Sequence, residues 1–184
     1  MVDRREELFF SDRKELRAWL SKNFDRAIGV WAVFYKKSTN LSDLSWEAIV
    51  EECLCFGWID SLPGKVDEER TKIYISPRKA NSGWSRRNKE VLADLQKRNM
   101  IENPGLLVIE RAKSNGSWER FDLAEALVIP TELQNVLKEE LDFSSQWNLL
   151  SDSKQRQALQ QIYDAKTQET RLKRIDSLRQ ALSS

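Results

Sequence analysis

Leu16, Trp19 and Leu20 recur at three- and four-residue spacing, the period of a helix with one apolar face. Asp12 precedes them, and Glu15 follows it by three residues, a pairing that predicts an N-cap. The period then changes. Ile28 to Tyr35 is a short, nearly unbroken run of β-formers, which predicts a strand buried on both faces at the centre of a sheet. Ser45 predicts the cap of a second helix from Trp46 to Phe56, with Trp46, Ile49, Val50 and Cys53 turned inward. Gly57 predicts the end of that helix in a positive-φ conformation. Two strand-like runs follow, Trp58–Leu62 and Lys72–Ser76, joined through Pro63-Gly64 and the polar 66–70 segment as an antiparallel pair.

From there the pattern is helical. Trp84 and Ser85 predict the staple and cap of a third helix, Arg86 to Asn99, with Val91, Leu92 and Leu95 inward. Asn103-Pro104 predicts the start of a fourth, carrying Leu106, Ile109 and Ala112 and stopped by Gly116. Trp118 and Phe121 anchor a connector. Pro130 opens a fifth helix, Phe143 and Trp147 lead into a sixth, Ser151 or Ser153 caps a seventh, and Thr167 caps an eighth. The fold class expected is α+β: a small antiparallel sheet of about three strands (Val30–Tyr35, Trp58–Leu62, Lys72–Ser76) packed by helices, followed by an all-helical C-terminal part. The boundary is placed between residues 121 and 122, giving an α+β domain over 1–121 and a helical subdomain over 122–184 packed on it.

Composition narrows the chemistry. The 184 residues are 40% apolar and 32% charged with a net charge of +1, ordinary for a soluble globular chain and too near neutral to recruit nucleic acid by overall field. No apolar run is long enough to span a membrane, and Met1–Glu7 lacks a signal core, so cytoplasmic residence is the expectation. There is no histidine, which excludes serine–histidine and cysteine–histidine hydrolases and the usual zinc site; neither a metal nor a cofactor is expected. Cys53 and Cys55, two apart on one helix, are poorly placed to bridge and read as buried thiols.

Several residues stand out as candidate ligand contacts. Asp60 follows apolar residues and needs a partner; Arg78, ending the next strand, is the one expected, either as a structural ion pair or as part of a site. Lys36 and Lys37 end the central strand, as solvated charges or as an anion contact. Glu51 and Glu52 lie on the last half of the second helix, against its dipole, a conflict that pairing with Lys36 or Lys37 would resolve. Ser85, Arg86, Arg87 and Asn88 place helix amides and arginines beside Trp84. Lys72 to Arg98 holds eight basic residues and two acids. In the C-terminal part, Lys166, Arg171 and Arg174 face six acids between Asp122 and Trp147, which favours salt-bridging between helices.

Cys55-Phe56-Gly57-Trp58-Ile59-Asp60, then Ser76-Pro77-Arg78-Lys79 and Ser82-Gly83-Trp84-Ser85 with Asn88, resembles the signature of the YdeI/OmpD-associated, or bacteriocin-protection, family. Tyr35-Lys36-Lys37-Ser38 is similar to that family's double-lysine strand end, and Ala165-Lys166-Thr167-Gln168-Glu169-Thr170-Arg171 with Arg174-Ile175 to its C-terminal words. The resemblance implies a bacterial soluble protein linked to envelope or bacteriocin stress, and implies no catalytic mechanism.

Three functions are compatible with these residues. One is a binding protein, holding an anionic small molecule or a partner's acidic segment in a groove lined by Trp58, Trp84, Lys36 and Arg78. Another is an enzyme using Asp60, Glu51 or Glu52 with Lys36 or Lys37. The third is nucleic-acid binding through the 72–98 face, with Trp84 stacking on a base. The binding reading is adopted, with the ligand or partner unidentified.

Overall fold

The computed structural model describes residues 5–183. It is an α+β structure whose chain divides into two compact units. One runs through Ser82 and takes in Arg87–Asn115; the other joins Gly83–Arg86 to the chain from Gly116 onward. The division at Asn115–Gly116 lies ahead of the boundary read from composition.

The first unit carries a four-stranded sheet in the order β1-β2-β4-β3, built from β1 (Glu7–Phe9), β2 (Val30–Tyr35), β3 (Trp58–Lys65) and β4 (Arg70–Pro77). The sheet is mixed and not purely antiparallel, because β1 pairs parallel to β2, with Glu7 opposite Trp31. Three residues are too few to show a period, so β1 left no readable pattern. Helix α1 (Arg13–Asn23) crosses between the two parallel strands. Its N-cap is Asp12, which accepts from the Glu15 amide at 2.9 Å, while Glu15 reaches back to the Ser11 amide at 2.7 Å. Pairing with β1 and β4 makes β2 internal, as its apolar run predicts.

The β3–β4 pair differs from expectation at its turn. Pro63-Gly64 lies inside β3, past a bulge between Asp60 and Pro63, and the turn is made by residues 66–69. The physical reason is position: β3 is the sheet's edge, where a residue without an N–H costs no ladder bond. Asp67 builds the true turn, accepting from the amides of Glu69 (3.0 Å) and Arg70 (2.7 Å).

Val30, Ala32, Ile73, Ile75 and Trp58 share one buried face of the sheet. There Trp58 meets Trp19 of α1 edge-on at 5.6 Å, and its indole N–H donates to the Phe24 carbonyl at 3.1 Å. Helix α2 (Trp46–Cys55), capped by Ser45 through the Ala48 amide, packs Ile49, Val50 and Cys53 inward. Helices α3 (Arg86–Lys97) and α4 (Asn103–Ser114) follow. Glu102 stands at the cap position of α4 in place of Asn103 and gives it no side-chain bond.

The second unit is helical: α5 (Asp122–Glu125), α6 (Thr131–Glu139), α7 (Leu141–Leu149), α8 (Asp152–Tyr163) and α9 (Gln168–Leu182). Leu133, Phe143, Trp147, Leu159, Ile162 and Ile175 form its core. Thr167 caps α9 through the Thr170 amide, and Arg171 and Arg179 of α9 bind Glu132 (2.8 Å) and Glu140 (2.7 Å). Among the described residues no helix is long and apolar enough to cross a membrane.

Two glycines set the joint between α2, β3 and α4. Gly57 has φ +74°, and a Cβ there would stand 2.7 Å from Val108 Cγ2; at Gly105 it would stand 2.4 Å from the Cys55 carbonyl oxygen. Gly57→Ala therefore combines left-handed strain with overlap. It is expected to lose about 1–3 kcal/mol in urea unfolding, and adding Val108→Ala should recover part of that loss.

Candidate functional site

The first unit has a pocket of about 750 Å³ at one end of the sheet. Three segments wall it: the end of β2 with Lys36 and Lys37, the start of α2 with Ser45, Trp46 and Glu47, and the turn between β3 and β4. Each segment is placed by its own local chemistry. Lys36 extends across to the turn, where its Nζ donates to the carbonyls of Asp67 (2.7 Å) and Glu68 (2.9 Å), and its backbone amide bonds the Glu69 carbonyl at 2.8 Å. Lys36 is thus a strap holding the turn against β2. Lys37 begins a short 3-10 turn (Lys37–Thr39) and lies exposed.

Trp46 is the aromatic wall. Sequence periodicity assigned it to the inner stripe of α2, but it is 40% exposed. It occupies the first helical position, directly after the cap, where the side chain leaves the inward row. Its indole N–H donates to Asp60 Oδ2 at 3.1 Å, which fixes the plane of the ring. Glu47, beside it, has its carboxyl held below the usual range by its own amide and the Ser45 hydroxyl, with the charges of Lys37 and Arg87 acting in the same direction. Lys65, at the end of β3, completes the basic side of the pocket. Neither Lys37 nor Lys65 forms a salt bridge among the described residues.

The other singled-out residues lie elsewhere. Asp60 and Arg78 do not hydrogen-bond to each other. Asp60 pairs across the ladder with Ile75, while the Arg78 amide bonds the Gly57 carbonyl at 3.0 Å beyond the strand end. Burial pushes the Arg78 guanidinium down to about 10, and the field of Asp60 opposes that shift. Trp58 and Trp84 are 0% and 2% exposed and belong to different units, so neither offers an indole face to solvent. Trp84 packs on Trp118 at 5.1 Å within the second unit. Ser85 and the exposed Arg86 lie in that unit too, whereas half-buried Asn88 sits in the first turn of α3, in the first unit.

Glu52 is fully buried and bonds arginines, not lysines: Arg13 Nε at 2.6 Å and Arg17 Nη1 at 2.8 Å. Arg13 also meets Glu51 at 2.7 Å, and Arg17 reaches Glu102 and the Met100 carbonyl. The acid–base pairing of Glu51 or Glu52 with Lys36 or Lys37 is therefore not formed. Arg13 and Arg17 escaped attention in the sequence, although their four-residue spacing puts both on one face of α1. The 72–98 basic run is likewise divided: Lys72 pairs with Glu7, and Arg98 with Asp94 and Glu51. Both thiols are buried. Burial raises Cys53 well above the ordinary thiol value and Cys55 to about 11. Among the described residues no group of three or more cysteines or carboxylates is arranged to hold a metal ion.

Two outcomes follow from these buried groups. Glu52→Gln leaves two arginines facing a neutral amide and should cost about 3–5 kcal/mol in urea unfolding, against about 1 kcal/mol or less for the part-exposed Glu51→Gln. At pH 8 a thiol at about 11 is thiolate to roughly one part in a thousand, so Ellman's reagent should label the native chain at least ~100-fold more slowly than the urea-unfolded chain.

Comparison with known proteins divides the chain in a similar place. Residues 8–108 match the family model described as Domain of unknown function (DUF8412), more than half of the chain. Residues 126–184 match the model described as Bacteriocin-protection, YdeI or OmpD-Associated. The Cys55–Asp60 and Ser76–Lys79 words thus lie in the region of the first model, and the Ala165–Arg171 words in that of the second. No curated protein and no solved structure matches the chain. The chain therefore belongs to the DUF8412 family, whose model its first unit matches, and its C-terminal helices are similar to the bacteriocin-protection, YdeI- or OmpD-associated family.

Proposed function

We propose that the chain is a binding protein of bacteriocin or envelope stress, and that its first unit takes up an anionic small molecule in the pocket between β2, α2 and the β3–β4 turn. The observation that carries this reading is the pairing of two lysines in no salt bridge, Lys37 and Lys65, with the most exposed tryptophan of the sheet unit, Trp46, around one cavity of about 750 Å³. Such a volume suits a small-molecule site, which needs apolar walls and a few placed polar groups. Phe34, Tyr35 and Trp46 supply the walls, and the lysines supply the charge. The bacteriocin setting comes from the family description attached to the C-terminal helices.

The test is titration with a panel of small aromatic and aliphatic carboxylates, followed by tryptophan fluorescence and melting temperature. A ligand should perturb the fluorescence through Trp46, and Trp46→Phe should remove most of that signal. Lys37→Ala and Lys65→Ala should each weaken binding about tenfold, near 1.4 kcal/mol. A panel without effect, or affinity unchanged in the double lysine variant, would sink the reading.

A further inference from the structure

We infer that the pocket selects a zwitterion with an apolar body, of the class of aromatic amino acids and short aromatic peptides. This rests on the anion-binding reading above and narrows it. Six charged residues line the cavity, Lys36, Lys37 and Lys65 against Glu47, Asp67 and Glu68. Two of the six, Asp67 and Lys36, are committed to holding the turn, while Glu47 keeps only the local bonds of its own amide and the Ser45 hydroxyl. Asp67 holds Arg70 through Nε (2.8 Å) and Nη2 (2.5 Å) as well as the turn amides, and Lys36 is bonded to the two turn carbonyls. That leaves Lys37 and Lys65 on one side and Glu47 and Glu68 on the other, none in a salt bridge among the described residues.

This charge pattern discriminates by penalty as well as by attraction. A polyanion such as a nucleoside triphosphate would bring several negative charges against two exposed carboxylates, and like charges at close range oppose binding. A simple monoanion engages the lysines but covers Glu47 and Glu68 without giving them a counter-charge, which costs desolvation free energy. A molecule with one carboxylate and one ammonium answers both pairs. The Trp46 ring, held in plane by Asp60, offers a face to an aromatic side chain or to the ammonium itself. The volume accommodates a dipeptide more fully than a single amino acid.

The experiment is calorimetry on the full chain at low salt with three probes: phenylalanylphenylalanine, its N-acetyl form and its C-terminal amide. The free dipeptide should bind at least tenfold more tightly than either blocked form. The double variant Glu47→Gln, Glu68→Gln should lower the dipeptide to the affinity of the N-acetyl form while leaving the N-acetyl form unweakened. Lys37→Met with Lys65→Met should lower it to that of the amide. If the N-acetyl form binds as tightly as the dipeptide, or the carboxylate panel binds and the dipeptide does not, the pocket is an anion site and the zwitterion inference is overturned alone. If neither the panel nor any of the three probes binds, both readings fall together.

Discussion

A carboxylate shut off from water between two arginines governs the geometry of the sheet unit. Glu52 lies inside, and the cost of burying its charge is met by Arg13 and Arg17 at hydrogen-bond distance. Those arginines fix α1 against α2 in both rotation and height. Arg17 extends the link to the Met100 carbonyl and to Glu102, so the start of α4 is held by the same cluster. Glu102 donates its amide to the Cys55 carbonyl, and Gly105 lets the α4 backbone approach that carbonyl closely. With the end of α2 thus pinned, Gly57 turns the chain into β3, and Trp58 and Asp60 fall where they do. Asp60 then holds Trp46 at the opposite end of α2. The pocket wall is set, through this chain of contacts, by an ion cluster that never touches it.

The sequence was legible where one residue's chemistry decides one local event. Asp12, Ser45, Ser151 and Thr167 cap the helices they were expected to cap. Gly57 takes positive φ because the chain must leave α2 sharply, and the apolar run of β2 is internal because only an internal strand buries both faces. It was illegible where tertiary position decides. Pro63-Gly64 reads as a turn in any sequence, and only the edge position of β3 makes it a strand with a bulge. Glu102 forgoes capping α4 because its carboxylate is drawn to Arg17, a contact 85 residues distant in sequence.

The candidate site divides along the same line. Lys36 and Lys37 were visible because a lysine pair ending an apolar strand is conspicuous. Trp46 was visible but assigned inward, since periodicity alone does not separate the first helical residue from the stripe it begins. Lys65 carried no local signal at all. Its relevance arises from the fold returning β3 to the end of β2. Trp58 and Trp84 drew attention as rare residues in distinctive words, yet rarity in a fold of this size more often marks a core anchor, and both are core.

Two groups of charges in the sheet unit are held differently. Those of the interior, Glu52 with Arg13 and Arg17, are fixed by mutual contact. Those of the pocket, Lys37, Lys65, Glu47 and Glu68, face solvent in a balanced set. The chain has no histidine, the side chain whose charge ordinarily changes near neutral pH. Glu47 is held below the usual carboxyl range, which moves its titration further from neutrality. Neither an imidazole nor Glu47 therefore supplies the pocket with a charge change near neutral pH.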